Sequence, residues 1–183
     1  MDIQDIYFRT LVFAADKHKD HMMKGKDIPY IVHVCGVATE IFVASNYTPL
    51  FNLEYAIQVA LLHDTLEDTD AEYAEIGKLF GAGVAEAVLA LTKFSNLPQE
   101  QQMNDSLQRI KKREKEVWAV KLADRITNLQ PPPKDWGNEK IIKYKDDAIN
   151  ILNQLAEGND FLAERLRNRI EEYSGYLYGA SQR

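Results

Sequence analysis

His63-Asp64-Thr65-Leu66-Glu67-Asp68 puts one imidazole and three carboxylates into less than two helical turns, directly after the apolar run Ala60-Leu61-Leu62. A helical period of 3.6 residues sets Glu67 one turn beyond His63 and Asp68 one turn beyond Asp64. His63 and Asp64 are metal-type ligands, and Glu67 and Asp68 are acid/base candidates stacked over them. Such a layout suits hydrolysis: a cation acidifies water, one carboxylate aims it, and the leaving oxygen receives a proton. Two adjacent carboxylates also push one pKa upward, leaving an acid available near neutrality. The competing reading is a solvated charge pair at a helix C-terminus, where negative charge opposes the helix dipole.

Two further residues share this character. Asp124, in Lys121-Leu122-Ala123-Asp124-Arg125, follows apolar positions on a helix heading inward, where a charge is expensive unless paired or bound to a cation. His33 has a similar setting in Tyr30-Ile31-Val32-His33-Val34. Taken singly, His33 reads as a hydrogen-bonded core histidine and Asp124 as one half of an ion pair with Arg125 or a lysine. Together, His33, His63, Asp64 and Asp124 make a two-imidazole, two-carboxylate set suited to Mn, Fe or Zn.

A substrate surface is suggested by Lys17, Lys19, Lys24 and Lys26, with His18 and His21, ahead of His33. Singly these are solvated charges; facing a metal cleft they would bind phosphates. Asn128 lies one turn after Asp124 on the same face. Lys140 and Tyr144 share a face by the same spacing and would add a phosphate contact and a stacking or hydroxyl contact.

The elements that must hold these groups are helical. The first helix is expected to run to about Lys19 with Ile6, Leu11, Val12, Phe13 and Ala15 facing inward. A basic loop from His21 to Asp27 follows, then a helix over residues 31–45. Tyr47 to Phe51 reads as a turn, and Asn52 as the N-cap of the helix that ends in the His63–Asp68 motif. Thr69-Asp70-Ala71-Glu72 has capping-box spacing, which predicts a new helix just past Asp68. Helices are also expected over 81–92, 98–112 and 116–129, the last stopped by Pro131-Pro132-Pro133. Two long ones over 138–156 and 159–178 close the chain, with Gly158 as the stop between them. No strand alternation or repeat is evident. The expectation is one all-α domain over residues 1–183, a bundle of about eight to ten helices.

Composition narrows the partners. With 183 residues the chain suffices for one domain with a substantial core, and 45% apolar and 27% charged residues are ordinary for a globular protein. A net charge of −6 and a pI near 5.3 argue against nucleic acid or an anionic membrane as partner, so an anionic substrate must be drawn in locally. The one cysteine, Cys35, excludes an intramolecular disulfide framework and reads as a small buried hydrophobe. The acidic start Met1-Asp2-Ile3-Gln4-Asp5 lacks a signal-peptide pattern, and a cytoplasmic location is the expectation.

His33, His63-Asp64 and Asp124 resemble the H…HD…D signature of the HD phosphohydrolase superfamily. More narrowly, Pro29-Tyr30-Ile31-Val32-His33, the stretch from Ala60 to Thr69 and the stretch from Val120 to Leu129 are similar to the hydrolase domain of RelA/SpoT proteins. With no synthetase region following, the chain resembles the stand-alone small alarmone hydrolases, over about Leu11 to Leu155.

The resemblance implies an HD-type helical bundle and a Mn2+-dependent enzyme that removes the 3′-diphosphate from (p)ppGpp, a small-molecule nucleotide. It implies that His33, His63, Asp64 and Asp124 hold the metal, that Glu67 and Asp68 position or activate water, and that Asn128 contacts the nucleotide sugar region. Three positions depart from the family pattern. Lys24 keeps the phosphate-serving lysine of an Arg-Lys pair, but Met23 stands where the base-packing arginine is usual. Val34 replaces the proline after the first histidine, and the triple proline is unusual. A thioether packs on a base without a cation or forked donor, so Met23 bears on base choice. Two alternatives follow: an HD hydrolase for another nucleotide, such as an adenine alarmone or the 2′-phosphate of NADPH, or a non-catalytic nucleotide sensor.

Overall fold

A computed structural model describes residues 2–49 and 51–179 of the chain. Its core is made by three helices, α2 (Ile31–Ser45), α3 (Leu53–Leu62) and α8 (Lys115–Asn128), which pack on one another. Each carries a nearly continuous apolar surface, including Val34, Val37, Ile41, Ile57, Leu61, Leu62, Val120, Leu122 and Ile126, all buried. Each large aliphatic side chain so covered contributes about 1.5–3 kcal/mol. That favourable term offsets the cost of sinking His33, His63, Lys121 and Asp124 into the same helices.

Around this centre lie α1 (Ile3–Lys17) against α3, α5 (Tyr73–Phe80) against α6 (Ala82–Leu91), α7 (Gln99–Ile110) against α6, and α9 (Asn138–Leu155) against α10 (Asp160–Gly179). The remaining helix, α4 (Thr65–Asp68), is a single turn. The described residues thus form ten α-helices and one short 3-10 turn, an all-α arrangement as expected. Extended pairing among them is limited to an isolated bridge between Met22 and Pro29. No described helix is long and apolar enough to cross a membrane.

Several local expectations are corrected. The first helix ends at Lys17, and its buried positions are Thr10 and Ala14, while Val12 is exposed. The capping box does not form: Thr69 Oγ1 accepts from the Ala71 N–H at 3.0 Å and donates to the Thr65 carbonyl at 2.6 Å, so the next helix waits until Tyr73. Cys35 is only half-buried, with the Tyr7 hydroxyl 3.9 Å from its sulfur. Asn52 does cap α3, accepting from the Tyr55 N–H at 3.2 Å. Leu50, in the expected turn over 47–51, lies outside the described residues, as do Met1 and residues 180–183. Gly158 does close the α9 segment, but the requirement for glycine is close approach: a Cβ there would meet the Trp118 Cβ at 2.5 Å.

Candidate metal centre and substrate cavity

The His63–Asp68 motif does not lie on one continuous helix. The backbone leaves α3 after Leu62, turns through His63 and Asp64, and restarts as α4. Asp64 has φ −104° and ψ 0°, and its carbonyl accepts from the Glu67 and Asp68 N–H groups. The break tips the ligand pair toward α2 and α8 while keeping both carboxylates of the second pair on the next turn.

Four donor atoms converge there. His33 Nε2 lies 3.4 Å from His63 Nε2, and Asp64 Oδ2 lies 2.9 Å from His63 Nε2 and 3.8 Å from His33 Nε2. Asp124 Oδ1 comes to 3.5 Å of His33 Nε2 and 3.8 Å of His63 Nε2. His33, His63 and Asp64 fall within 4.8 Å of one another as a candidate metal trio, and Asp124 approaches from the α8 side. The two ring nitrogens that face away explain why this set fits a cation. His63 Nδ1 lies 2.8 Å from the Ala60 carbonyl, which can only accept, so Nδ1 carries the hydrogen. Thr127 Oγ1 donates to the Asp124 carbonyl at 2.8 Å and is left to accept from His33 Nδ1 at 3.3 Å. In both neutral rings Nε2 is then a lone pair, aimed at another lone pair and at carboxylate oxygens. A cation placed among them relieves that arrangement.

The titration of the groups says the same. Burial disfavours a charged His63, yet Asp64 and Asp124 outweigh it and raise its pKa to about 9. Burial would raise the Asp64 carboxyl, but the His63 imidazole outweighs it and holds the group far below the usual carboxylate range. Asp124 is treated likewise: burial opposes its charge, and the Lys121 ammonium and the two imidazoles overcome that. Lys121 donates to Asp124 Oδ2 at 2.9 Å, leaving Oδ1 turned to the histidines, where Asn128 Nδ2 also donates. Tyr30 donates to Asp64 Oδ2 at 2.5 Å, and burial followed by the Asp64 charge keeps its hydroxyl protonated. Lys121 and Tyr30 fix the ligands, and both stood inside the quoted motifs without being singled out. The buried partner of Asp124 is Lys121. Arg125 instead lays its guanidinium over the Tyr144 ring, 4.7 Å from the centroid.

Glu67 and Asp68 have different surroundings. Glu67 is held by Lys93, which no sequence signal marked. Asp68 has its pKa raised, first by burial, then by Asp64 and Glu67. Asp68 thus shows the upward push expected for one member of the pair.

Beside the centre opens a cavity of about 700 Å³, lined by Met23, Lys24, Lys26, Tyr30, His33, Asn128, Trp136 and Tyr144 among others. Two loops form its outer wall. In the first, the Met23 N–H donates to the Ile28 carbonyl at 2.8 Å and the chain reverses at Gly25, whose φ of +72° favours glycine. In the second, residues 129–137, the Trp136 N–H donates to the Pro133 carbonyl at 3.0 Å. The loops meet where Gly25 faces Pro133. Trp136 stands edge-on to Tyr144 at 5.1 Å, so the expected aromatic contact at Tyr144 is extended by a tryptophan that the sequence did not mark. Lys140 places its ammonium over Trp136, 4.4 Å from the ring centre, and is not part of the lining. Of the other basic residues, Lys17 is tied to Asp70 and Glu75 at 3.3 and 3.0 Å and does not face the cavity. His18 is buried, with Nδ1 3.2 Å from that of His21.

With this geometry the class is defined: residues 10–160 match the model of the HD domain family, and the chain belongs to that family. Among its relatives, the guanosine-3′,5′-bis(diphosphate) 3′-pyrophosphohydrolase MESH1 of Danio rerio is 32% identical over 172 residues, covering 91% of this chain and 93% of that protein. The Aquifex aeolicus guanosine-3′,5′-bis(diphosphate) 3′-pyrophosphohydrolase is 33% identical over 93% of this chain, which corresponds to only 24% of its own length. A solved structure of a metazoan ortholog of SpoT that hydrolyzes ppGpp matches with a TM-score of 0.81 at 29% identity, covering 94% of this chain and 97% of the other.

Proposed function

We propose that this chain is a single-domain, divalent-metal-dependent hydrolase that removes the 3′-diphosphate from guanosine polyphosphates, giving GDP or GTP and pyrophosphate. The observation that carries the proposal is the convergence of two imidazole lone pairs and two carboxylates beside Glu67 and Asp68, opening into a basic and aromatic cavity. The relatives named above, two of them similar over nearly their whole length, support the same substrate class.

In this reading His33, His63, Asp64 and Asp124 would hold the metal; the mixed nitrogen and oxygen set suits Mn, Fe or Zn, and the resemblance to RelA/SpoT hydrolases favours Mn2+. Such an ion, when bound, would polarise a phosphoryl oxygen and lower the pKa of water. Glu67, oriented by Lys93, accepts a hydrogen bond from the attacking water and aims it at phosphorus. Asp68, the carboxyl with the raised pKa, supplies the proton that the 3′ oxygen needs as it leaves. Lys24 and Lys26 on the cavity wall neutralise phosphate charge, and Lys140 adds charge at the rim. Asn128 contacts the sugar, and Tyr144 and Trp136 offer ring surfaces to the base. The protein acts in the cytoplasm on a free nucleotide.

One observation favours a second reading. Met23 lines the cavity and offers a base neither a cation nor a forked donor. The same centre would then serve another nucleotide, an adenine alarmone or the 2′-phosphate of NADPH. A panel of guanine and adenine nucleotides, incubated with Mn2+-loaded protein and resolved by product, decides. Conversion of ppGpp to GDP and pyrophosphate with the highest kcat/KM supports the first reading. No turnover of ppGpp with the metal bound overturns it.

A further inference from the structure

Both carboxylate oxygens of Glu67 are engaged by one residue. The Lys93 main-chain N–H donates to Oε2 at 2.8 Å, and the Lys93 ammonium pairs with Oε1. Lys93 follows Thr92, the residue that caps the end of α6 in extended conformation, so a separate element is brought onto α4. The pair is not at the free surface: the Glu67 side chain is 19% exposed and that of Lys93 33%. Burial alone would weaken the ammonium, but Glu67, with Asp64 and Asp124 behind it, keeps it charged. Lys24 and Lys26 stand on the cavity wall, whereas the Lys93 ammonium is paired with Glu67.

Glu67 needs such a partner. It sits on a one-turn helix that follows a backbone break, and a glutamate there has three side-chain torsions to fix. A water-aiming carboxylate works only when held in one orientation. Each oxygen bonded to Lys93 keeps a second lone pair, so the clamp leaves Glu67 able to accept from water.

We propose that Lys93 is a positioning residue for the hydrolytic step, fixing the orientation of the Glu67 carboxylate through one main-chain and one side-chain contact. This rests on the hydrolase reading given above. The main-chain contact survives any substitution at the position except proline, so removing the ammonium weakens the clamp without abolishing it.

The test is a double-mutant cycle on the metal-loaded protein with ppGpp, using Lys93→Met, Glu67→Gln and the pair, with Lys93→Arg as the conservative variant. Lys93→Met is expected to lower kcat by about tenfold to a hundredfold, the range of a lost charge-assisted hydrogen bond, with KM nearly unchanged. Lys93→Arg recovers most of the loss, and Lys93→Met costs nothing further once Glu67 is Gln. A raised KM with unchanged kcat, or losses that multiply in the pair, overturns the assignment and makes Lys93 a direct substrate contact. An inactive wild type would speak against the substrate reading instead. Crystal structures then decide for Lys93: in Lys93→Met the Glu67 carboxylate must turn about its remaining main-chain contact or lose order, and finding it as ordered and oriented as in the wild type overturns the proposal.

Discussion

The ligand end of the cleft hangs on α2, α3 and α8, the helices that also make the core, whereas its far wall is two loops resting on each other at Gly25 and Pro133. At the first, every donor is fixed by a partner that packing already holds: Ala60 for His63, Thr127 for His33, Lys121 for Asp124 and Tyr30 for Asp64. At the second, Met23 and Lys24 are held chiefly by turn hydrogen bonds, and the half-buried Trp136 rests on Tyr144. Reaction type is therefore tied to stability, because changing a ligand disturbs the core. Substrate choice is tied to loops that can change at little cost.

The largest effect should come from the helical end. Asp64→Ala removes a ligand and strands the Tyr30 hydroxyl, so divalent-ion binding by calorimetry should disappear and kcat/KM should fall on the order of 10⁴-fold. Retained binding at wild-type strength would show that the four donors do not act as one site.

A substitution in the wall should act differently. Trp136→Ala removes a ring facing the cavity, and loss of base stacking should raise KM by about tenfold or more while kcat holds. A fall in kcat with unchanged KM would mean that the wall shapes the centre, erasing the distinction between the two regions.

An effect on stability, with none expected on turnover near neutrality, lies between them at His18. Burial, working against the attraction of Asp64, lowers its pKa from 6.5 to about 4. The unfolded chain takes up this proton near pH 6.5 and the folded chain only near 4, so stability rises with pH across that window. Going from pH 7 to 4 should remove at most about 3 kcal/mol through His18, seen by urea unfolding. His18→Gln should flatten that slope; an unchanged slope would place the acid sensitivity elsewhere.

The same division explains what could be read in the amino-acid order. Helix period and buried-charge cost picked out His33, His63, Asp64 and Asp124 because core helices repeat regularly and punish unpaired charge. The extents of α2, α8 and α9 came out nearly as expected for the same reason. The break at His63-Asp64 did not, since nothing in a run of good helix formers signals a turn that tertiary packing imposes. Lys93 was hidden because its contact with Glu67 joins segments far apart in the chain. Trp136 was hidden because a loop aromatic has no periodicity to set its direction. Lys17, counted with the phosphate-binding lysines, went instead to the acidic residues of the α4–α5 region, where two carboxylates were nearer than any cavity.

The most direct measurement of the central claim is hydrolysis of ppGpp by the Mn2+-loaded protein in ¹⁸O-labelled water, with both products weighed by mass spectrometry. Water aimed at phosphorus by Glu67 and a proton passed to the 3′ oxygen predict one ¹⁸O in the released pyrophosphate and none in GDP. Label in the nucleoside, release of orthophosphate alone, or no reaction with the metal bound would contradict the account.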